Sequence, residues 1–300
     1  MVSRPEILVD GFLFPESPRW DGACIWISDM HAHRVGVYSE TGTTIREYAL
    51  TDKPSGIGFL PGAGGGPIVV CMRSKSLTRL HADGSTSCFA DLTGVPGIDI
   101  NDMVIDGRGR IFVGGRFVKA FSMNLFELSN TPSEETIVSV DSQGGWHVLI
   151  NNIELPNGIA VTPDLSTLIV AETRAKRLLA FTITQAGHLT DRRVFAELAS
   201  NPDGICIDAE GAVWAGLPFA ASFQRIFEGG RVADEIQLDD GKWAIAPALG
   251  GHDGRTLFLT TAITTQEIMG ACVDFASDEK SRSLGFLETV RVDVPRAGWP

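Results

Sequence analysis

No Cys-x-x-Cys pair occurs in the 300 residues, and the five cysteines (Cys24, Cys71, Cys88, Cys206 and Cys272) are scattered singly, each in or beside an apolar run. The pattern reads as reduced, mostly core thiols in a cytoplasmic protein. No apolar stretch reaches 18 residues, and Met1-Val2-Ser3-Arg4-Pro5-Glu6 lacks a basic region followed by a long apolar one. Neither a membrane span nor a signal peptide is therefore expected. Positive charge is short, with 25 Lys and Arg against 37 Asp and Glu and a net charge of −12. That balance argues against nucleic acid or an acidic membrane as a partner. The chain has no Gly-x-Ser-x-Gly elbow, no His-Glu-x-x-His and no phosphate loop, and Gly56-Ile57-Gly58 runs into Pro61 and fails as a dinucleotide fingerprint. Apolar stripes of period 3.6 are also hard to find, which sets aside a helical architecture.

What the chain does have is a repeat. Pro15-Glu16-Ser17, Pro54-Ser55-Gly56, Ile100-Asn101-Asp102, Pro156-Asn157-Gly158 and Pro202-Asp203-Gly204 each lead into an apolar run, a turn and a second apolar run. Their second positions fall at 16, 55, 101, 157 and 203, a period of roughly 45 residues. Ala246-Pro247-Ala248 is read as a degenerate sixth copy that has lost its polar group. Short strands at this period predict an all-β fold, a six-bladed β-propeller with four-stranded blades, built as one domain over residues 1–300. The anchors Trp26, Val69, Phe112, Leu168, Val213 and Phe258 mark one blade each. A ring must close without a bare edge, so Ile7-Leu8-Val9 is expected to add the outer strand of the last blade, beside residues 289–292.

In such blades the start of the first strand and the loop between the second and third share one rim. Glu16, Asn157 and Asp203 then converge there from three blades. Two carboxylates and an amide, all oxygen donors, suit one hard divalent cation. Ca²⁺ is the first expectation, with Mg²⁺, Mn²⁺ and Zn²⁺ as alternatives; the absence of His and Cys donors disfavours Zn²⁺. His31-Ala32-His33 lacks a third histidine in register for a zinc site, and His31 is expected instead as a rim group that touches substrate. The third blade is the longest, and its excess lies between Arg116 and Glu135, with Phe117, Phe121, Met123, Leu125 and Phe126 inside it. A long apolar loop over a rim reads as a substrate lid, which puts Arg116 and Phe121 among the substrate candidates.

Phe14-Pro15-Glu16-Ser17-Pro18-Arg19-Trp20, Asn101-Asp102 before Gly107-Arg108-Gly109-Arg110, Leu155-Pro156-Asn157-Gly158, Pro202-Asp203-Gly204-Ile205 and the run from Leu249 to Leu257 resemble the gluconolactonase–regucalcin family of six-bladed propeller lactonases, in the family's order and across nearly the whole chain. The resemblance implies Glu16, Asn157 and Asp203 as metal ligands and Asn101 as a rim residue near substrate or a metal-bound water. Sugar-lactone members resemble one another in an Arg two residues before that Asn, where this chain has Asp99.

The expected reaction is metal-dependent hydrolysis of a small-molecule lactone less polar than gluconolactone, with Asp203 as the general base and Asp102 as a second candidate. Phosphotriester hydrolysis and a non-enzymatic calcium- or ligand-binding propeller are the competing readings.

Overall fold

The computed structural model describes residues 4–62, 65–95, 99–116, 135–268 and 283–298; Phe117 to Glu134, and with them Phe121 and the body of the expected lid, lie outside them. Among the described residues the strands form six four-stranded antiparallel sheets. After β1 (Glu6–Phe12), blade 1 consists of β2 (Pro15–Trp20), β3 (Cys24–Asp29), β4 (Arg34–Ser39) and β5 (Thr44–Ala49). Blade 2 follows with β6 (Pro54–Leu60), β7 (Gly66–Cys71), β8 (Ser76–Leu80) and β9 (Thr86–Asp91). Blade 3 is β10 (Asp99–Ile105), β11 (Ile111–Arg116), β12 (Thr136–Val140) and β13 (Trp146–Ile150). Blade 4 is β14 (Pro156–Val161), β15 (Thr167–Glu172), β16 (Arg177–Ile183) and β17 (Leu189–Glu197). Blade 5 is β18 (Ile205–Ile207), β19 (Val213–Leu217), β20 (Ser222–Ile226) and β21 (Val232–Gln237). Blade 6 is β22 (Lys242–Gly250), β23 (Thr256–Ile263) and β24 (Leu284–Arg291), completed by β1.

In five of the six blades an aspartate folds the hairpin between first and second strands; the turn of blade 2, residues 61–65, contains none. Asp21, Asp106, Asp164, Asp208 and Asp253 each accept a backbone N–H two residues on, which is Asx-turn chemistry. Three of these carboxylates also hold an arginine, Asp106 with Arg110, Asp208 with Arg225 and Asp253 with Arg291. Apolar side chains between blades then stack the units. Trp20 of blade 1 lies on Phe258 of blade 6 with ring centroids 5.6 Å apart, and Trp26 meets Phe59 of blade 2 edge to face.

The innermost strands β2, β6, β10, β14, β18 and β22 each touch the next around the ring, and β22 returns to β2. As the sequence predicts, the N-terminal strand closes the last blade as its outer strand, but its partners are residues 285–289 rather than 289–292. β1 pairs antiparallel with β24, Ile7 opposite Glu288 and Val9 opposite Leu287.

Each innermost strand is irregular where its polar tripeptide lies. The register slips between Glu16 and Arg19, Pro54 and Ile57, Ile100 and Met103, and Pro156 and Ile159. In blade 5 both Asp203 and Gly204 bond to Gly216, two residues against one. These are β-bulges, which turn a side chain out of the regular alternation and occur beside functional sites.

The sixth copy differs from the sequence reading. The slip in β22 falls between Ala244 and Ala246. A Cβ built on Gly204 would meet Ala246 Cβ at 2.2 Å, just as one on Gly56 meets Met103 N at 2.5 Å and one on Gly158 meets Ile205 N at 2.6 Å. Ala246 is therefore the counterpart of Met103 and Ile205, and the rim position of blade 6 is Ala244, three residues before Pro247. Pro247 imitates the repeat, yet it sits within the strand opposite Leu259. An innermost strand tolerates a proline because one of its edges carries no ladder.

Candidate metal and active site

The second positions of the six tripeptides are Glu16, Ser55, Asn101, Asn157, Asp203 and Ala244, five oxygen-bearing side chains and one methyl on the channel rim. Three of them are joined directly. Ser28 Oγ donates to the Ser55 carbonyl at 2.6 Å, Ser55 Oγ donates to Asn101 Oδ1 at 3.1 Å, and Asn101 Nδ2 donates to Asn157 Oδ1 at 3.0 Å. The run crosses blades 1 to 4 and links both amides, Asn101 Oδ1 accepting from Ser55 and Asn157 Oδ1 accepting from Asn101. Asn157 Oδ1 keeps a second lone pair for another partner.

Glu16 (8% exposed) lies opposite Ser28 at the same register position of blade 1. Asp203, partly buried, occupies that position in blade 5, its N–H donating to the Gly216 carbonyl at 2.8 Å and its own carbonyl accepting from Gly158 N at 3.1 Å. Gly158 is glycine for a steric reason: a Cβ there would come within 2.6 Å of the Asp203 carbonyl oxygen.

Among the described residues no group of three or more His, Cys, Asp and Glu side chains is placed to hold a metal ion. The candidate set is of another kind, two carboxylates with an amide oxygen. That all-oxygen chemistry, with an amide held oxygen-first by Asn101, fits a hard cation such as Ca²⁺ rather than a borderline-soft one.

Asp102, expected as an alternative base, has its oxygens engaged. It is 4% exposed and accepts from Met103 N at 2.8 Å, Ser17 Oγ at 3.2 Å and the Arg19 guanidinium at 3.1 and 3.3 Å. His31 is on the rim face but only 2% exposed, its ring tilted over Phe14 with centroids 5.2 Å apart. Burial, with the charges of Lys53 and His33 adding to it, pushes its pKa down to about 3, so the ring is neutral. Asp99 and Arg116 are backbone register partners across the β10–β11 ladder at the rim end of blade 3. Phe121 lies outside the described residues. Sequence reasoning gave Ser55 no role and missed the Arg19–Asp102 ion pair; the polar second position of Pro54-Ser55-Gly56 was the signal for the first.

A separate pocket, partly open to solvent, occupies the other end of the channel, lined by Trp20, Ile105, Ile159, Ile207, Leu249 and Arg296 among others. It lies away from the rim and has a mostly apolar wall.

A family model described as "SMP-30/Gluconolactonase/LRE-like region" matches residues 14–263. The chain belongs to this family. A 6-deoxy-6-sulfogluconolactonase from Pseudomonas putida is 26% identical over 202 residues, and the match spans 66% of this chain and 66% of that protein. Among solved structures, a luciferin-regenerating enzyme superposes with a TM-score of 0.79 at 18% identity, covering 98% of both chains. A calcium-binding regucalcin from Agrobacterium tumefaciens does so with a TM-score of 0.73 at 20% identity, covering 99% of this chain and 97% of that one. At these identities the superpositions show the shared fold.

Proposed function

We propose that this family member is a divalent-cation-dependent lactone hydrolase, with Glu16, Asn157 and Asp203 holding one cation, Ca²⁺ in the first instance. The reading rests on the hydrogen-bonded run from Ser55 through Asn101 to Asn157, which holds the Asn157 side chain, together with the repeat phase that Glu16 and Asp203 share with it. Family membership and the names of relatives, a lactonase and a calcium-binding protein, support the same reading. A cation bound there would supply Lewis-acid polarisation of the lactone carbonyl.

The chain's own groups do the rest. Asp203 accepts the proton of the attacking water as the water oxygen bonds to the carbonyl carbon. The ring C–O bond then breaks, and the leaving alkoxide takes that proton back, giving the open hydroxy acid. Asn101, with one Nδ2 hydrogen committed to Asn157, has the other available for the substrate oxygen. Asp102, saturated by Arg19, Ser17 and Met103, supports the rim rather than moving a proton. His31, neutral, buried and packed on Phe14, supports the rim from behind rather than touching the substrate.

Asp99 stands where sugar-lactone members carry their hydroxyl-gripping Arg, so the substrate is read as a lactone less polar than gluconolactone. A carboxylate accepts hydrogen bonds but cannot donate to ring or carbonyl oxygens. The test is hydrolysis of aliphatic, aryl and sugar lactones, each with Ca²⁺ and with EDTA. Turnover should vanish with EDTA and return with Ca²⁺, and kcat/KM should be higher for an apolar lactone than for glucono-1,5-lactone. EDTA-insensitive turnover defeats the cation reading, and a preference for gluconolactone defeats the specificity reading alone.

A further inference from the structure

Directly beneath the ring of second-position side chains lies a layer made by the third positions: Ser17, Gly56, Asp102, Gly158, Gly204 and Ile245. Asp102 is the charged member. A carboxylate taken out of water to this degree needs compensating donors, and it has them from Met103, Ser17 and Arg19. Arg19, itself 9% exposed, donates further to the Met103 carbonyl at 3.1 Å and to the Pro18 carbonyl at 3.0 Å. Its guanidinium thus reaches from blade 1 past blade 2 into blade 3. Gly56 of the intervening blade makes room, for a Cβ there would lie 2.5 Å from Met103 N and 2.9 Å from Asp102 Oδ1.

The two ends of this clamp adjoin the candidate site. Arg19 follows Glu16 by three residues, across a bulge in which Ser17 takes a left-handed φ of 45°. A non-glycine residue in that conformation persists where its surroundings hold it, and Ser17 is held by its hydroxyl on Asp102. At the other end Asp102 follows Asn101, whose amide orients Asn157.

We propose that Arg19 is a positioning residue for the candidate site: by clamping Asp102 and Met103 to the strand that carries Glu16, it fixes Asn101 and, through Asn101, the ligand oxygen of Asn157. This rests on the function proposed above for the rim. A guanidinium suits the task because its planar fork engages a carboxylate and a carbonyl together, whereas an ammonium meets them as a single point charge.

The test pairs a structural readout with kinetics. Chains labelled with ¹⁵N at asparagine report the Asn101 side-chain amide in wild type, Arg19→Met, Arg19→Lys and Ser17→Ala, with the resonance assigned from its loss in Asn101→Ala. Ca²⁺ affinity is read by calorimetry, and kcat and KM on the best lactone. In Arg19→Met the Asn101 amide should lose its protected, shifted signal. Ca²⁺ affinity and kcat should each fall about 10–100-fold, as for residues that orient metal ligands, with KM nearly unchanged. Arg19→Lys should keep part of both. If Arg19→Met does not fold, Arg19→Lys and Ser17→Ala carry the test, each shifting the Asn101 resonance in a folded chain. An unmoved Asn101 signal and unchanged Ca²⁺ affinity overturn the proposal, even where the melting temperature falls. Should wild type hydrolyse no lactone while its Asn101 signal still depends on Arg19, the proposed function fails and the positioning role stands.

Discussion

His31 shows how much of the rim is held out of water. Its Nδ1 is buried with no hydrogen-bond partner among the described residues, and burial is the leading cause of its lowered pKa. An unfolded histidine titrates near 6.5 and the folded one near 3, so between these values the unfolded state binds more protons. Stability from this group is complete above about pH 6.5 and is lost as pH falls, at up to about 1.4 kcal/mol per pH unit. Asp29 opposes it: burial raises its carboxyl despite N–H donors from Phe14 and Leu13 and the Arg34 guanidinium. Its contribution is present at low pH and is lost as pH rises through the raised value. Replacing His31 with leucine removes the ring's titration and leaves that of Asp29. The melting temperature of His31→Leu should therefore fall less steeply than that of wild type between pH 7 and pH 5. Parallel slopes would show that His31 is not the group responsible.

At the scale of the strand, the bulges turn a repeat of sequence into a ring of functional side chains. Gly158 is the sharpest case, because the backbone of blade 5 occupies the space of its missing Cβ. Gly158→Ala must displace the segment bearing Asp203. It should cost about 1–3 kcal/mol in denaturant unfolding, as overpacking does. Ca²⁺ affinity should fall along with stability, while Gly211→Ala, in open space, leaves affinity at the wild-type value. Equal affinities in both variants would separate Asp203 from the cation. These examples also mark what the sequence makes legible. The blades are readable because Asx turns and apolar hairpins are local, and the shared phase of Glu16, Asn157 and Asp203 survives the bulges, which recur at the same point. Ala244 was hidden because Pro247 imitates the motif, and only the ladder with β23 sets the true register. The Arg19–Asp102 contact joins residues 83 apart in the chain and depends on how three blades stack, which no local pattern encodes.

For the whole molecule the question is what keeps the ring shut. Blade 6 receives its outer strand from the start of the chain, so the closure is non-covalent and rests on β1. Phe12, 2% exposed, is its principal anchor: it meets Tyr38 of blade 1 edge to face at 5.7 Å and packs with Trp20, Phe258 and Leu287. Polar contacts tie the same segment to blade 1. Leu13 N and Phe14 N donate to the Asp29 carboxylate, and Arg34 donates to the Gly11 carbonyl and to Asp29. Losing the Phe12 ring leaves a cavity where blades 1 and 6 meet, so Phe12→Ala should cost about 3–5 kcal/mol, the range for a buried phenylalanine. If closure and blades unfold together, urea unfolding stays two-state and the midpoint moves while the slope m holds, because the surface exposed is nearly the same. A reduced m would mean that the ring opens before the blades unfold, leaving β24 as a bare edge. A loss below about 1 kcal/mol, under the range expected for a buried aromatic, would make β1 an appendage rather than the clasp of the propeller.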